Sequence, residues 1–293
     1  MERSGVQEKP SWLRVRIPSL ERLETVRGKL RSKGVTTVCD SSRCPNVGDC
    51  WGRGEATFMI MGKVCTRSCR FCAVEHGEPS VLDAGEPKRV AEAVASLGLR
   101  YVVVTSVTRD DLADGGAGAF ASVVEGMRTA CPDTRAELLI PDMRGERGSL
   151  EIVSRSGASV IGHNLEVVRS LQEIARDRAA SYDRSLDVLD FLSRESNASI
   201  KSSIMLGLGE DAAEVRLAMR DMRDAGVEIV TIGQYIEPRG ANLPVKRYVP
   251  PVEFEEHAAY ARSLGFRSVL AGPLVRSSYH ASAAFEDSVM GDS

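Results

Sequence analysis

Hydrophobic positions along most of the chain alternate between a strand-like and a helical period. Residues 57–64 form a short apolar run leading into a cysteine-rich stretch, the pattern of a strand followed by a loop. Val90, Val94 and Leu97 recur at helical spacing, and residues 101–104 (YVVV) make a β-branched run of buried-strand type. The exchange continues with a helix over 118–130, a strand over 137–140 ended by Pro141, and a strand over 159–161. Leu186, Leu189 and Leu192 mark the next helix, residues 202–206 a strand, Val215, Met219 and Met222 a helix, and residues 228–232 a strand. Phe254, Ala258 and Ala261 give a late helix before a last strand over 268–271. Six or seven strand–helix units in this order predict a parallel sheet with crossover helices. The set spans roughly 210 residues, short of the usual eight-stranded barrel. The expected fold is α/β, an incomplete TIM-type barrel.

Composition narrows the picture without changing it. A chain of 293 residues with 43% hydrophobic and 27% charged positions is ordinary globular material, which excludes a disordered or fibrous protein. A net charge of -3 argues against nucleic acid as the main partner. No apolar run approaches the roughly 20 residues that span a bilayer, so no membrane partner is expected. The N-terminus has no secretory core, and Glu2 and Glu8 suit a transit peptide poorly, which leaves the cytoplasm as the expected compartment. The first 34 residues carry nine Lys/Arg against four Asp/Glu, with Trp12 and Leu20 as the clearest anchors. They read as a solvated extension packed on the barrel, or alternatively as a basic surface for an acidic protein partner.

Seven cysteines in a reducing compartment call for an explanation other than disulfides. Six fall in two triplets: Cys39, Cys44 and Cys50 with C-x4-C-x5-C spacing, then Cys65, Cys69 and Cys72 with C-x3-C-x2-C. Structural zinc wants four ligands, usually from paired knuckles, and neither triplet supplies four. Three thiolates suit three irons of a [4Fe–4S] cube and leave the fourth open to another ligand. The spacing therefore favours two clusters with outside ligands over zinc or inert buried thiols. Cys131, beside Pro132 at a helix end, reads as an inert, buried or half-buried thiol.

The C-x3-C-x2-C loop, with Phe71 just before its last cysteine, resembles the radical S-adenosylmethionine (SAM) superfamily. Preceded by C-x4-C-x5-C, the chain is similar to the lipoyl synthases in particular, and the resemblance runs almost from end to end. It includes Cys44-Pro45-Asn46, residues 56–60 (ATFMI), 105–116 (TSVTRDDLADGG), 140–142 (IPD), 181–186 (SYDRSL), 205–210 (MLGLGE), 231–235 (TIGQY), 243–249 (LPVKRYV) and 272–280 (GPLVRSSYH). The resemblance implies a (β/α)6-type barrel over 55–272, an extension over 1–54 carrying the first triplet, and a C-terminal extension over 273–293. It also implies a sulfurtransferase of lipoate biosynthesis with two [4Fe–4S] clusters and SAM. Cys65, Cys69 and Cys72 would hold the cluster that binds SAM. Cys39, Cys44 and Cys50 would hold an auxiliary cluster, consumed as the sulfur source and closed by a serine of the RSSY motif. By motif position that serine is Ser278, with Ser277 as the fallback; Arg276 is the other catalytic candidate. Phe71, Thr105, Ser106 and Asn164 would contact SAM.

The implied reaction inserts sulfur at C6 and C8 of an octanoyl-lysine on a lipoyl-carrier protein, such as a dehydrogenase E2 lipoyl domain or the glycine-cleavage H protein. A ferredoxin or flavodoxin would donate electrons, and an iron–sulfur carrier would serve the clusters. The alternatives are another two-cluster radical SAM sulfur-inserting enzyme, such as a methylthiotransferase, or a zinc-stabilised binding module. The chain ends thirteen residues after His280, which leaves no room for the RNA-binding domain expected of a methylthiotransferase.

Barrel logic supports the same face, because catalytic groups come from the loops at the C-terminal ends of the strands. Cys65–Cys72, Thr105–Val107, His163-Asn164 and Gln234-Tyr235 follow the first, second, fourth and sixth strands. Asp110 and Asp111 read as arginine partners or a helix start rather than an acid–base pair. Gly207-Leu208-Gly209 reads as a close backbone approach to the cofactor. Two departures from the family pattern stand out: Gly162 where Asn is usual before His163-Asn164, and an irregular stretch over 176–180.

Overall fold

A computed structural model describes residues 9–13, 20–41, 44, 46–238 and 243–290. Residues 1–8 and 14–19 of the basic N-terminal segment, Pro45 of the CPN motif and the last three residues lie outside them. Seven parallel strands lie side by side in chain order: β1 (Glu55–Ile60), β2 (Tyr101–Ser106), β3 (Arg135–Leu139), β4 (Val160–Gly162), β5 (Ser199–Leu206), β6 (Ile229–Gln234) and β7 (Ser268–Gly272). Six helices make the crossovers: α1 (Glu86–Leu97), α2 (Ala117–Ala130), α3 (Arg147–Ser154), α4 (Tyr182–Glu195), α5 (Ala212–Asp224) and α6 (Pro251–Ser263). This is the incomplete barrel that the alternation predicts. β1 is not paired with β7; its outer edge takes the two-residue strand Thr36–Thr37 in antiparallel register. The barrel therefore has an open seam, and the N-terminal extension lies along it. Among the described residues, no helix is long and apolar enough to cross a membrane.

Alternation along the strands divides the core. Val102 and Val104 of β2 join Phe58, Ile60, Leu138, Ile161 and Ile200 in the layer beneath the helices. Tyr101 and Val103 face the barrel interior, as the period of two requires. The interior also holds a charged pair. Lys201 Nζ donates to Glu137 Oε1 at 2.8 Å, and Tyr101 OH donates to Glu137 Oε2 at 2.8 Å. With these side chains 3% and 2% exposed, removing one partner would strand a buried charge, which costs about 3–5 kcal/mol. A seventh helix, α7 (Ala281–Met290), plugs the end of the barrel where the strands begin. Its Ala281 and Phe285 pack on Tyr101, Val103 and Leu139, and its Ala284 on Val160 and Ile229.

Three sequence expectations need revision. The first strand stops at Ile60 rather than 64, because Met61 (φ 66) and Gly62 (φ 92) turn the chain left-handed. Helix α3 escaped the periodicity because its eight residues bury only Ser149, Leu150 and Val153. Trp12 is not an anchor: it is 40% exposed while its neighbour Leu13 is buried. The side chain of Leu20, the other expected anchor, lies outside the described residues.

Candidate active site

The second triplet occupies the loop after β1, at the C-terminal end of the strands. Backbone amides aim at each of its sulfurs. Thr108 N and Arg67 N donate to Cys65 Sγ at 3.3 and 3.4 Å, Asp177 N to Cys69 Sγ at 3.3 Å, and Val74 N to Cys72 Sγ at 3.4 Å. Amide donors around three sulfurs suit thiolates bound to iron, whose properties such bonds tune. Arg67, inside the loop, anchors it to the barrel. Its guanidinium bonds both oxygens of Asp110 at 2.7 and 2.9 Å and Asp142 Oδ1 at 2.6 Å. Burial opposes ionisation of Asp142, but the Arg67 bonds prevail and hold its carboxyl down at about 2. Asp111 pairs with Arg109 at 2.7 Å. Both aspartates thus serve as arginine partners.

The irregular stretch over 176–180 also clamps this loop. Asp177 Oδ2 accepts from Ser68 N at 2.9 Å and Ser68 Oγ at 3.0 Å, and Arg70 N donates to Ala175 O at 2.8 Å. This stretch thus lies directly against the loop of the second triplet.

The first triplet lines a cavity on the open seam. Its walls are Cys39, Cys44 and Cys50 from the N-terminal extension, Glu55 and Thr57 from β1, and Arg276 and Ser278 from the segment after β7. Ser277 is not among them. Burial raises the Cys39 and Cys44 thiols and pushes Cys50 up to about 12, with Cys39 and Cys44 adding to the effect on Cys50. Arg276 works the other way on Cys44. Its guanidinium donates to the carbonyls of Val275 at 2.7 Å and Gln234 at 3.3 Å, and no carboxylate bonds it among the described residues. A cation so placed offsets negative charge gathered on the cysteines. Among the described residues no three Cys, His, Asp or Glu side chains converge as a single metal ion requires. A cube, whose corner irons take one thiolate each, asks only that the thiols stand around a shared space.

The remaining sequence candidates divide. Phe71 is half-buried against Val167, Ala175, Leu208, Tyr235 and Leu243, a small apolar cluster separate from the main core. Thr105 points into the barrel, but its hydroxyl donates to Leu139 O at 2.9 Å. Ser106 falls on the opposite face of β2, and its buried hydroxyl has no partner among the described residues. Asn164 Nδ2 donates to Glu166 Oε1 at 3.1 Å. His163 does not open onto the face at all. Its Nδ1–H donates to Ile140 O at 2.9 Å, and Nε2 lies 3.0 Å from Ser185 Oγ. Burial lowers this ring to about 4 and keeps it neutral.

Gln234 and Tyr235 hold the segment over 243–249 in place. Gln234 Oε1 accepts from Val249 N at 2.7 Å, its Nε2 donates to Arg247 O at 3.1 Å, and Tyr235 OH donates to Leu243 O at 2.7 Å. Gly207 (φ 98) is forced by that segment, since a Cβ there would lie 2.5 Å from Arg247 O and 2.2 Å from Gln234 Nε2. The close approach at Gly207 is thus to protein. Gly162 has no such constraint: a Cβ would meet only ordinary contacts at 3.5–3.6 Å. Cys131 is half-buried against the main core.

Sequence reasoning missed Glu166 and Asp177. Glu166 sits beyond β4 in a left-handed conformation (φ 71), its carboxyl raised by burial and drawn back down by Arg176 and Asn164. Its position just past a barrel strand was the available signal. Nothing local marks Asp177 for this role: it turns on Ala179 N nearby, but Ser68 and Cys69, which it also bonds, lie more than 100 residues away.

Comparison with known proteins agrees with this arrangement. Residues 59–222 match the Radical SAM superfamily. The lipoyl synthase of Pyrobaculum calidifontis is 52% identical over 281 residues, covering 95% of this chain and 96% of its own. That of Myxococcus xanthus is 46% identical over 96% of this chain and 95% of its own. Among solved structures, the FeFe-hydrogenase maturase HydG from Carboxydothermus hydrogenoformans superposes with a TM-score of 0.62, covering 91% of this chain and 68% of its own at 11% identity. Methylornithine synthase gives 0.50 at 15% identity, covering 94% of this chain and 90% of its own. At such identities the structural likeness concerns the fold.

Proposed function

The chain belongs to the lipoyl synthase family of the Radical SAM superfamily, and from that premise we propose that it inserts sulfur at C6 and C8 of a protein-bound octanoyl-lysine. The observation that carries this reading is the shared cavity of Cys39, Cys44, Cys50 and Ser278, residues that the sequence separates by more than 220 positions. A SAM-cleaving site alone would need only the second triplet. The additional three-thiol cavity with a serine in its wall supports a second cluster, the auxiliary sulfur donor.

Each set of residues has a distinct task. Cys65, Cys69 and Cys72 would hold the SAM-binding [4Fe–4S] cluster, which with SAM supplies a 5′-deoxyadenosyl radical for hydrogen abstraction from an unactivated methylene. The amides of Thr108, Asp177 and Val74 orient and stabilise those three thiolates. Arg67, fixed by Asp110 and Asp142, keeps the loop at the barrel rim, and Phe71 adds an apolar surface on the same face. On the seam, Cys39, Cys44 and Cys50 would hold the auxiliary cluster, with Ser278 as fourth ligand. A hard serine oxygen matches iron–sulfur chemistry less well than a thiolate, which suits a ligand that must let go. Arg276 balances charge at Cys44.

The substrate in this reading is an octanoylated lipoyl-carrier protein, an E2 lipoyl domain or a glycine-cleavage H protein, with a ferredoxin or flavodoxin as electron donor. The test is anaerobic reaction of the reconstituted protein with an octanoyl-lysyl peptide, SAM and reductant. Mass spectrometry should find a peptide carrying two sulfurs. SAM cleavage without any thiolated peptide would overturn the sulfur-insertion reading and leave the superfamily chemistry standing.

A further inference from the structure

Ser278 lies on a segment that must be held against the short helix carrying Cys50, and two contacts do so. Asn46 Nδ2 donates to Leu274 O at 2.7 Å across 228 positions. Asp49, beside Cys50, gathers the other end of the segment. Its Oδ2 is 2.7 Å from His280 Nε2 and accepts from Tyr279 OH at 3.3 Å, while Oδ1 accepts from Arg53 Nε at 3.2 Å. The rings of Tyr279 and His280 stack with centroids 3.9 Å apart, which brings both polar tips to one carboxylate. His280 is held at φ 50, a region that non-glycine residues seldom adopt, so the contact fixes backbone as well as side chain. Tyr279 and His280, the two side chains that Asp49 gathers, lie one and two residues after Ser278.

We propose that Asp49 is a positioning residue for the auxiliary site: a latch that, through Tyr279 and His280, holds Ser278 against the three cysteines. This rests on the reading of Ser278 as the fourth ligand. A serine oxygen binds a soft site weakly, so its place there depends on how firmly the protein presents it. Asp49 and His280 are 44% and 25% exposed, so the latch can part by side-chain motion at the surface without opening the core. The structure thus joins the ligand that must leave to a contact that can yield.

The test uses the full chain with Asp49→Ala and Asp49→Glu, alone and combined with Ser278→Ala. Hydrogen exchange of the segment over 274–280 should quicken in Asp49→Ala by up to about fivefold, the scale of an exposed ion pair. Asp49→Glu should restore it. In anaerobically reconstituted protein, chelator should strip auxiliary iron faster from Asp49→Ala while iron at the second triplet stays put. On the Ser278→Ala background the same change should add nothing to iron release. Unchanged exchange in Asp49→Ala, or an equal effect on iron release with and without Ser278, would overturn the latch. If Ser278→Ala alone leaves iron release untouched, the ligand reading fails, and hydrogen exchange still decides whether Asp49 holds the segment.

Discussion

The carbonyl oxygen of Val275 lies 2.2 Å from where a Cβ on Gly233 would stand. No side chain fits between them, so the segment bearing Arg276 and Ser278 can reach the auxiliary cavity only over a glycine on β6. Gly233→Ala should push that segment out. With the two clusters proposed above, iron content should fall from about eight toward about four per chain as the proposed auxiliary cluster is lost, while SAM binding at the site proposed on the second triplet persists. Retention of full iron would show that the segment has another way in.

Damage beside the second triplet should have the opposite pattern. Asp177 clamps the cluster loop through Ser68 and brings its own amide to Cys69. Asp177→Ala should weaken SAM binding and shift the midpoint potential of the proposed SAM-binding cluster, with iron at the proposed auxiliary site unchanged. Isothermal titration with SAM and an anaerobic redox titration read the two effects.

Arg67 is a structural charge at the centre of this rim. Its side chain is 5% exposed and that of Asp142 is fully buried. Arg67→Met leaves Asp142, among the described residues, with only Arg184, at 3.5 Å, as an ion-pair partner. Stability should fall by about 3–5 kcal/mol, the cost of stranding one member of a buried pair. Arg67→Met with Asp142→Asn should recover a good part of it in a urea titration, because the stranded charge is then gone.

His163 makes stability depend on mildly acid pH. Its folded value of about 4 lies below the ordinary 6.5, so between these limits the unfolded chain binds the extra proton. The contribution is complete above about pH 6.5 and is lost as pH falls toward 4, a difference of about 3 kcal/mol. His163→Gln should flatten the urea stability profile across that window. An unchanged slope would place the acid sensitivity elsewhere.

Much of the molecule was legible in the residues. The strand runs at 101–104 and 228–232 and the helical leucines of 186–192 declare themselves locally, because each buries a face set by its own period. The triplets are legible for a different reason: each sets its three cysteines at short spacings along one stretch of chain, as the proposed cluster ligands would require. What the chain does not display locally is the approach of distant segments. The latch from Asp49 to His280, the clamp from Asp177 to Ser68 and the glycine beneath Val275 are each ordinary residues until the fold brings partners from more than 40 positions away. The same limit explains the misplacement of His163. Its position after a barrel strand points to the active face, yet His163 is turned to Ile140 and Ser185. Tyr235 packs with Phe71 near the second triplet, and Gln234 and Tyr235 bond the segment over 243–249.

Isotopic labelling of the auxiliary sulfur tests the central claim most directly. The protein would be reconstituted with ³⁴S-sulfide, freed of excess sulfide, and given octanoyl-lysyl peptide, SAM and reductant for a single turnover. Both sulfurs in the product should carry the label in the wild-type chain, with none formed when Cys39, Cys44 and Cys50 are replaced by Ala. Unlabelled sulfur in the wild-type product, or labelled product from the triple variant, would contradict a sulfur donor held by the first triplet.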